Sequence, residues 1–138
     1  MQKKIYYHDT DSGGVVYYAN YLKFLEEART EAMKGVGLEI KALVEKGIQF
    51  VVRRQEIDYK SPACYGDILE VETWISAISA AQLTFEARIK NQEDRLISNA
   101  KTLLACVDSS LKPQAIPQEL KDKLNVLTDS LRANRESV

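Results

Sequence analysis

The densest group of reactive side chains lies near the amino terminus, in His8-Asp9-Thr10-Asp11-Ser12-Gly13-Gly14, followed by Val15-Val16-Tyr17-Tyr18-Ala19-Asn20-Tyr21. Two carboxylates and two adjacent glycines stand just ahead of a stretch with helical apolar spacing. Backbone N–H groups in the first turn of a helix lack intrahelical acceptors, so they can bind a developing oxyanion. The helix dipole favours negative charge at the same end. Glycine removes the Cβ that would keep a ligand off the backbone. A carboxylate beside such a pocket is equipped to act as nucleophile or general base toward an activated carbonyl. The same residue types are also the vocabulary of helix N-capping, where an Asp, Thr or Ser side chain adds about 1 kcal/mol of stability. Capping is the commoner use of such residues. Both can hold together, with Asp9 structural and Asp11 catalytic, and spacing alone does not choose between them.

Other chemistries narrow by residue count. His8 is the single histidine, so a multi-histidine metal site is excluded and a Ser-His-Asp triad would have to use it as base. No G-x-S-x-G turn is present, and Gly13-Gly14 is too short for a phosphate-cradling loop. A histidine at a strand end is more often a hydrogen-bonded structural residue than a proton shuttle. Tyr17, Tyr18 and Tyr21 crowd the helix start; at that spacing core packing is the simplest reading, although beside a pocket their hydroxyls would orient a substrate. Arg53, Arg54 and Lys60 form a basic strip able to meet phosphates, with a solvated strand face as the plainer account. Cys64 and Cys106 match no metal or redox spacing and read as small buried side chains in strands or at strand edges.

The elements that would hold these groups follow from periodicity. Lys3 to His8 reads as a short extended segment. Tyr18, Tyr21, Leu22, Leu25, Ala28, Ala32 and Met33 then recur at three- and four-residue intervals, one apolar stripe of a long helix that Gly35 and Gly37 can close. A shorter helix is expected from Ile40 to Lys46, stopped by Gly47. Strands are expected over Ile48–Tyr59, Ile68–Ile78, the alternating stretch around Leu83–Lys90, and Leu96–Val107, with turns at Tyr65-Gly66-Asp67 and Asn91–Asp94. Pro113 and Pro117 lead into a short helix near Gln118–Leu124, followed by a polar tail. The order predicts an α+β fold, an antiparallel sheet of about five strands around one long helix, as one domain over residues 1–126 with a tail at 127–138. One helix covers one face of such a sheet, so a homo-oligomer is expected to bury the rest.

The bulk numbers agree with this size and class. The chain has 138 residues, 45% hydrophobic and 28% charged, enough to bury one core without disulfide staples. A net charge of −1 supplies no general attraction to nucleic acid. No apolar run approaches the ~20 residues of a membrane-spanning helix, and the first residues lack a signal-peptide core. A cytoplasmic location is the simplest expectation.

Asp9-Thr10-Asp11, Gly14-Val15-Val16-Tyr17, Asn20-Tyr21 and Glu27-Ala28-Arg29 together resemble the signature of the 4-hydroxybenzoyl-CoA thioesterase family, closest to its Tol–Pal-associated bacterial branch. Phe50-Val51-Val52-Arg53, Tyr59, Ser61-Pro62-Ala63, Gly66-Asp67 and Cys106-Val107-Asp108 through Lys112-Pro113 extend the resemblance from about Lys3 to Leu124. It implies a hotdog fold, a curved antiparallel sheet wrapped around the long helix, assembled as a homodimer or homotetramer with the active site at a subunit interface. It implies hydrolysis of an acyl-CoA or acyl-carrier-protein thioester, with no metal and no cofactor beyond the coenzyme A of the substrate. Asp11 takes the position of the catalytic carboxylate, and the N–H near Tyr18 that of the carbonyl-polarising donor. Gly13, Gly14, Val15, Tyr17, Tyr21 and Lys60 are the residues expected along the substrate. The chain departs from that pattern at His8, where relatives commonly carry Glu, and at Tyr18, where they usually carry His. It departs again in the turn Ser79-Ala80-Ala81-Gln82, which lacks the basic residue often found there. A non-catalytic thioester- or protein-binding module, and a hydroxyacyl-thioester dehydratase, are the alternatives.

Overall fold

A computed structural model of the chain describes the backbone of residues 1–136 and the side chains of residues 1–128. The elements in order are β1 (Gln2–Lys4), a single 3-10 turn (Tyr7–Asp9), α1 (Asn20–Gly35), α2 (Ile40–Glu45), β2 (Gln49–Tyr59), β3 (Ile68–Ile78), β4 (Gln82–Lys90), β5 (Leu96–Val107) and α3 (Gln118–Glu136). The five strands form one sheet in the order β1-β3-β4-β5-β2, with every neighbouring pair antiparallel. Register shifts at Val52/Arg54 and Ile75/Ala77 mark bulges, which bend a strand and increase its twist.

Alternation along β4 sets the faces. Leu83, Phe85, Ala87 and Ile89 are buried while the residues between them are partly exposed. Their partners Leu104, Thr102, Ala100 and Ser98 on β5 share the inner face. Across that face lies α1, which buries Tyr21, Phe24, Leu25, Ala28 and Met33. Each large apolar side chain removed from water there contributes about 2–3 kcal/mol. The amino-terminal half of α1 packs into one apolar cluster with Ile5, Leu69, Val71, Ile89 and Ile97. A second cluster gathers Met33, Leu43, Ile75, Phe85, Leu104 and residues of α3. This is the expected hotdog architecture, a sheet around one long helix.

Four local expectations change. The first strand ends at Lys4, and Tyr7–Asp9 turn instead of extending. The buried stripe of α1 runs through Phe24 rather than Leu22, which is 45% exposed, and Tyr18 precedes the helix. Cys106 is buried as expected, but Cys64 is exposed because it lies in the turn ahead of β3. The last helix does not stop near Leu124: Leu124 and Leu127 are buried three residues apart on one face, and the backbone stays helical to Glu136. The expected polar tail lies mostly outside the described side chains, and Ser137 and Val138 lie outside the described backbone.

Candidate active site

The Asp9–Gly14 cluster does not cap α1. The residue ahead of the helix is Ala19, which makes no side-chain cap, and the intervening segment folds into a small hairpin of its own. Asp11 N–H donates to the Val15 carbonyl (2.9 Å) and Gly14 N–H to the Asp11 carbonyl (3.0 Å), closing the turn. The Asp11 Oδ1 accepts the Gly13 N–H at 2.8 Å, and the residue is exposed. Gly14 occupies the left-handed region with φ +81, where a β-carbon is strained. A Cβ at position 13 would stand 3.2 Å from Asp11 Oδ1, closer than the carboxylate tolerates without shifting.

Asp9 is the anchor of this hairpin. Its carboxylate is buried and accepts the Tyr6 N–H at 2.9 Å. Its carbonyl accepts both the Tyr17 N–H (3.1 Å) and the Asn20 Nδ2 (2.8 Å), joining the turn to the first residue of α1. Val16 N–H donates to the Ala63 carbonyl at 2.8 Å, and Val15 bridges to Cys64, so the hairpin is also clamped to the loop between β2 and β3. The two carboxylates are thus separated by environment: Asp9 is spent on structure, and Asp11 faces solvent.

An open cleft of about 290 Å³ lies beside the hairpin, lined by Val15, Val16, Tyr18, Tyr21, Tyr59, Lys60, Ser61 and Pro62. Its floor is the start of α1. The Tyr18 and Ala19 N–H groups make no hydrogen bond among the described residues, so two donors of the kind that can bind an oxyanion stand free just ahead of α1. Tyr59 O–H donates to the Tyr18 carbonyl at 3.2 Å, and its ring meets those of Tyr18 and Tyr21 edge-on, with centroids 6.5 and 5.4 Å apart. The Tyr17 ring meets that of Tyr18 at a tilt, 4.8 Å away, and the neighbouring Tyr18 phenol pushes the Tyr17 phenol above its usual range. Tyr21 is buried, which raises its phenol pKa against an opposing backbone hydrogen bond at Ala63.

Four of the residues expected at the site, Val15, Tyr18, Tyr21 and Lys60, line the cleft directly. Asp11, Gly13, Gly14 and Tyr17 are not part of the lining: Asp11 lies across the hairpin from Val15, and the other three shape the turn and its exit. Among the described residues Lys60 enters no ion pair, whereas Arg54 is bound to Glu56 at 2.8 Å on the exposed strand face. His8 is exposed, stacked on Tyr6 at 5.8 Å, with Nε2 3.6 Å from Asp9 Oδ1 and away from the cleft. Val16, Tyr59, Ser61 and Pro62 also line the cleft, although the sequence assigned them no role there. Among the described residues no three His, Cys, Asp or Glu side chains converge as a metal site requires.

Comparison with known proteins shows the family of this fold. A profile of the thioesterase-like superfamily matches residues 6–124. The acyl-CoA thioester hydrolase YbgC of Escherichia coli O6:H1 is 41% identical over 118 residues, 85% of this chain and 88% of that protein. The acyl-CoA thioesterase YbgC of Haemophilus influenzae is 42% identical over 120 residues, covering 86% and 88%. The crystal structure of Slr0204, a 1,4-dihydroxy-2-naphthoyl-CoA thioesterase from Synechocystis, superposes with a TM-score of 0.85 at 25% identity, covering 92% of this chain and 95% of that one. The chain belongs to the thioesterase-like superfamily. It is an enzyme of the thioester-hydrolase class.

Proposed function

We propose that this chain hydrolyses an acyl-CoA thioester, with Asp11 as the reacting carboxylate and the Tyr18 N–H as the donor that polarises the carbonyl. The observation that carries the reading is a solvent-facing carboxylate on a hairpin beside a cleft lined by Tyr18, whose N–H, just ahead of α1, makes no hydrogen bond among the described residues. As the carbonyl oxygen gains charge, the N–H and the helix dipole stabilise it. Asp11 either adds to the carbonyl carbon, expelling the thiolate and leaving a mixed anhydride for water to open, or takes a proton from the attacking water. A thiolate leaves readily, so neither route demands a strong general acid. The Lys60 ammonium, on the cleft lining, would pair with the phosphates of the coenzyme A moiety, which enters as part of the substrate.

The second reading, a site completed by another copy of the chain, is favoured by β2. This strand is eleven residues long, lies at the sheet edge, leaves Val51 and Val52 exposed near its start, and ends at the cleft-lining Tyr59. Open edges of that length are templates for pairing, and a homodimer joined there extends the sheet. Two unpaired cysteines, one of them exposed, fit a reducing cytoplasm.

Thiol release from short, long and aromatic acyl-CoA esters tests the proposal, with wild type and Asp11→Asn side by side. Asn retains the oxygen that accepts the Gly13 N–H, so the variant folds, and kcat is expected to fall at least ~100-fold, the scale of a lost base. Full activity in Asp11→Asn removes this residue from the mechanism. If no acyl-CoA ester is cleaved, carrier-protein thioesters are tried next. Failure there, with acyl-CoA binding retained, leaves a non-catalytic binding module. The dehydratase reading requires an acid and a base across one bond, and the His8 ring is stacked on Tyr6 with its Nε2 turned to Asp9 rather than Asp11.

A further inference from the structure

We propose that Asp67 is a positioning residue of this site: its carboxylate, acting through two peptide units, holds the main chain that carries Asp11. The inference rests on the reading of Asp11 as the reacting carboxylate. Asp67 closes the turn ahead of β3, where its N–H donates to the Cys64 carbonyl at 3.0 Å and its own carbonyl accepts the Ile5 N–H at 2.8 Å. Its Oδ2 accepts the Cys64 N–H at 2.8 Å, and its Oδ1 accepts Gln92 Nε2 at 3.0 Å. Gln92 is fixed in turn, because its Oε1 accepts the Ile68 N–H at 2.9 Å. With a donor on each oxygen, the carboxylate is held in one orientation.

From that carboxylate a line of hydrogen bonds runs to Asp11. The Cys64 N–H shares its peptide with the Ala63 carbonyl, which accepts the Val16 N–H at 2.8 Å. The Val16 N–H shares its peptide with the Val15 carbonyl, which accepts the Asp11 N–H at 2.9 Å. In a trans peptide the C=O and the N–H point in opposite directions, so each unit passes on the direction imposed on it. Antiparallel bridges between Val15 and Cys64 and between Thr10 and Val16 join the same segments into a small ladder, with Asp11 on its far side. Hydrogen bonds in such a chain polarise one another, and an ionised acceptor at its end strengthens the first.

Direction is what this line contributes. The hairpin fixes Asp11 with respect to itself: Oδ1 takes the Gly13 N–H, and the Asp11 carbonyl takes that of Gly14. Those bonds do not set where the hairpin stands against the rest of the fold. On the side of the β2–β3 loop, the Val16–Ala63 bond does so, next to the Ser61 and Pro62 that line the cleft. Asp67 thereby ties the place of the Asp11 main chain to a wall of the cleft. Cys64 is exposed and Asp67 only partly buried, so water can replace their bond with little loss of fold stability. A reacting carboxylate displaced by under ~1 Å, by contrast, slows its chemistry.

The test is Asp67→Ala in the whole chain, assayed for thiol release with the best acyl-CoA ester in the wild-type and Asp11→Asn backgrounds. In the wild-type background kcat is expected to fall ~5-fold, with KM within ~2-fold. In the Asp11→Asn background the same change should cost under ~1.5-fold, because the group it aims is already gone. Amide hydrogen exchange followed by NMR is the second readout. Exchange at the Val16 and Asp11 N–H groups should quicken ~10-fold more than at Ile89 on the central strand β4. Asp67→Asn, which can keep a neutral acceptor on Cys64, goes through the same measurements and should lose less kcat. Equal kcat losses in the two backgrounds would show that Asp67 does not act through Asp11 and would overturn the inference. So would a KM rise at unchanged kcat, or exchange that quickens no more at Val16 and Asp11 than at Ile89, the pattern of a merely structural bond. If wild type cleaves esters in an Asp11-dependent way while Asp67→Ala keeps full kcat, this inference fails and the functional reading stands. If wild type cleaves nothing, the functional reading itself fails and this inference with it.

Discussion

Replacing Asp9 should separate the two carboxylates of the hairpin by what each is for. Asp9 is 8% exposed and accepts the Tyr6 N–H at 2.9 Å, while its carbonyl holds Tyr17 N–H and Asn20 Nδ2. Asp9→Ala removes only the side-chain acceptor, because the carbonyl bonds belong to the backbone. A hydrogen bond to a charged group contributes about 1.5–3 kcal/mol. Tyr6 is itself exposed, so water can reach part of the released N–H, and about 2 kcal/mol is the figure expected here. For a chain of this size about 3 °C of melting temperature accompanies each kcal/mol, which gives a loss of about 6 °C. Asp9→Asn retains an acceptor oxygen without the charge and should lose about half as much. Thermal unfolding by circular dichroism measures both, and thiol release measures what remains of activity. Asp9→Asn is expected to keep at least ~10% of wild-type kcat, in contrast to the ~100-fold loss in Asp11→Asn. An Asp9→Ala protein melting within 2 °C of wild type would refute the structural assignment. An Asp9→Asn protein as inactive as Asp11→Asn would refute the division of roles.

Gly13→Ala probes the same hairpin from the other side. Its new Cβ would stand 3.2 Å from Asp11 Oδ1, so the carboxylate must shift and lose its best aim. The expected outcome is a ~10-fold fall in kcat with little change in melting temperature, since a misplacement of under 1 Å is enough to slow chemistry; unchanged kcat would show that the Asp11 geometry is not critical. Val52→Asp places a charge on the exposed β2 edge. Light scattering should show wild type as a dimer or larger and the variant as a monomer of reduced activity, and a fully active wild-type monomer would sink the shared-site reading.

Much of the fold was written locally. The bounds of β3 and β5 follow from β-branched and alternating residues between strong turns at Gly66 and Asn91–Asp94, where Gly66 has φ +90 and Asp94 φ +63. The end of α2 follows from Gly47, which takes φ +77 to leave the helix. Errors arose where one residue type serves two local purposes. Asp, Thr, Ser and Gly close turns as readily as they cap helices, so the sequence placed the helix start too early and left the hairpin unseen. Leu22 and Phe24 both fit a helical stripe, and only the position of the sheet decides which is buried. Polar residues beyond Leu124 read as a tail because the partner that buries Leu127 is distant in sequence.

The sequence by itself determined the family signature, the long helix, the strand series and the candidacy of Asp11, since each depends on residues a few positions apart. Only the tertiary structure decided that Asp9 is consumed by the hairpin while Asp11 is exposed, and that the Tyr18 and Ala19 N–H groups have no acceptor among the described residues. It alone brought Tyr59 to the Tyr18 carbonyl across 41 residues of sequence. The physical reason is common to all three. Whether a polar group is satisfied depends on what the fold brings within about 3 Å of it, and no local pattern of residue types encodes that distance.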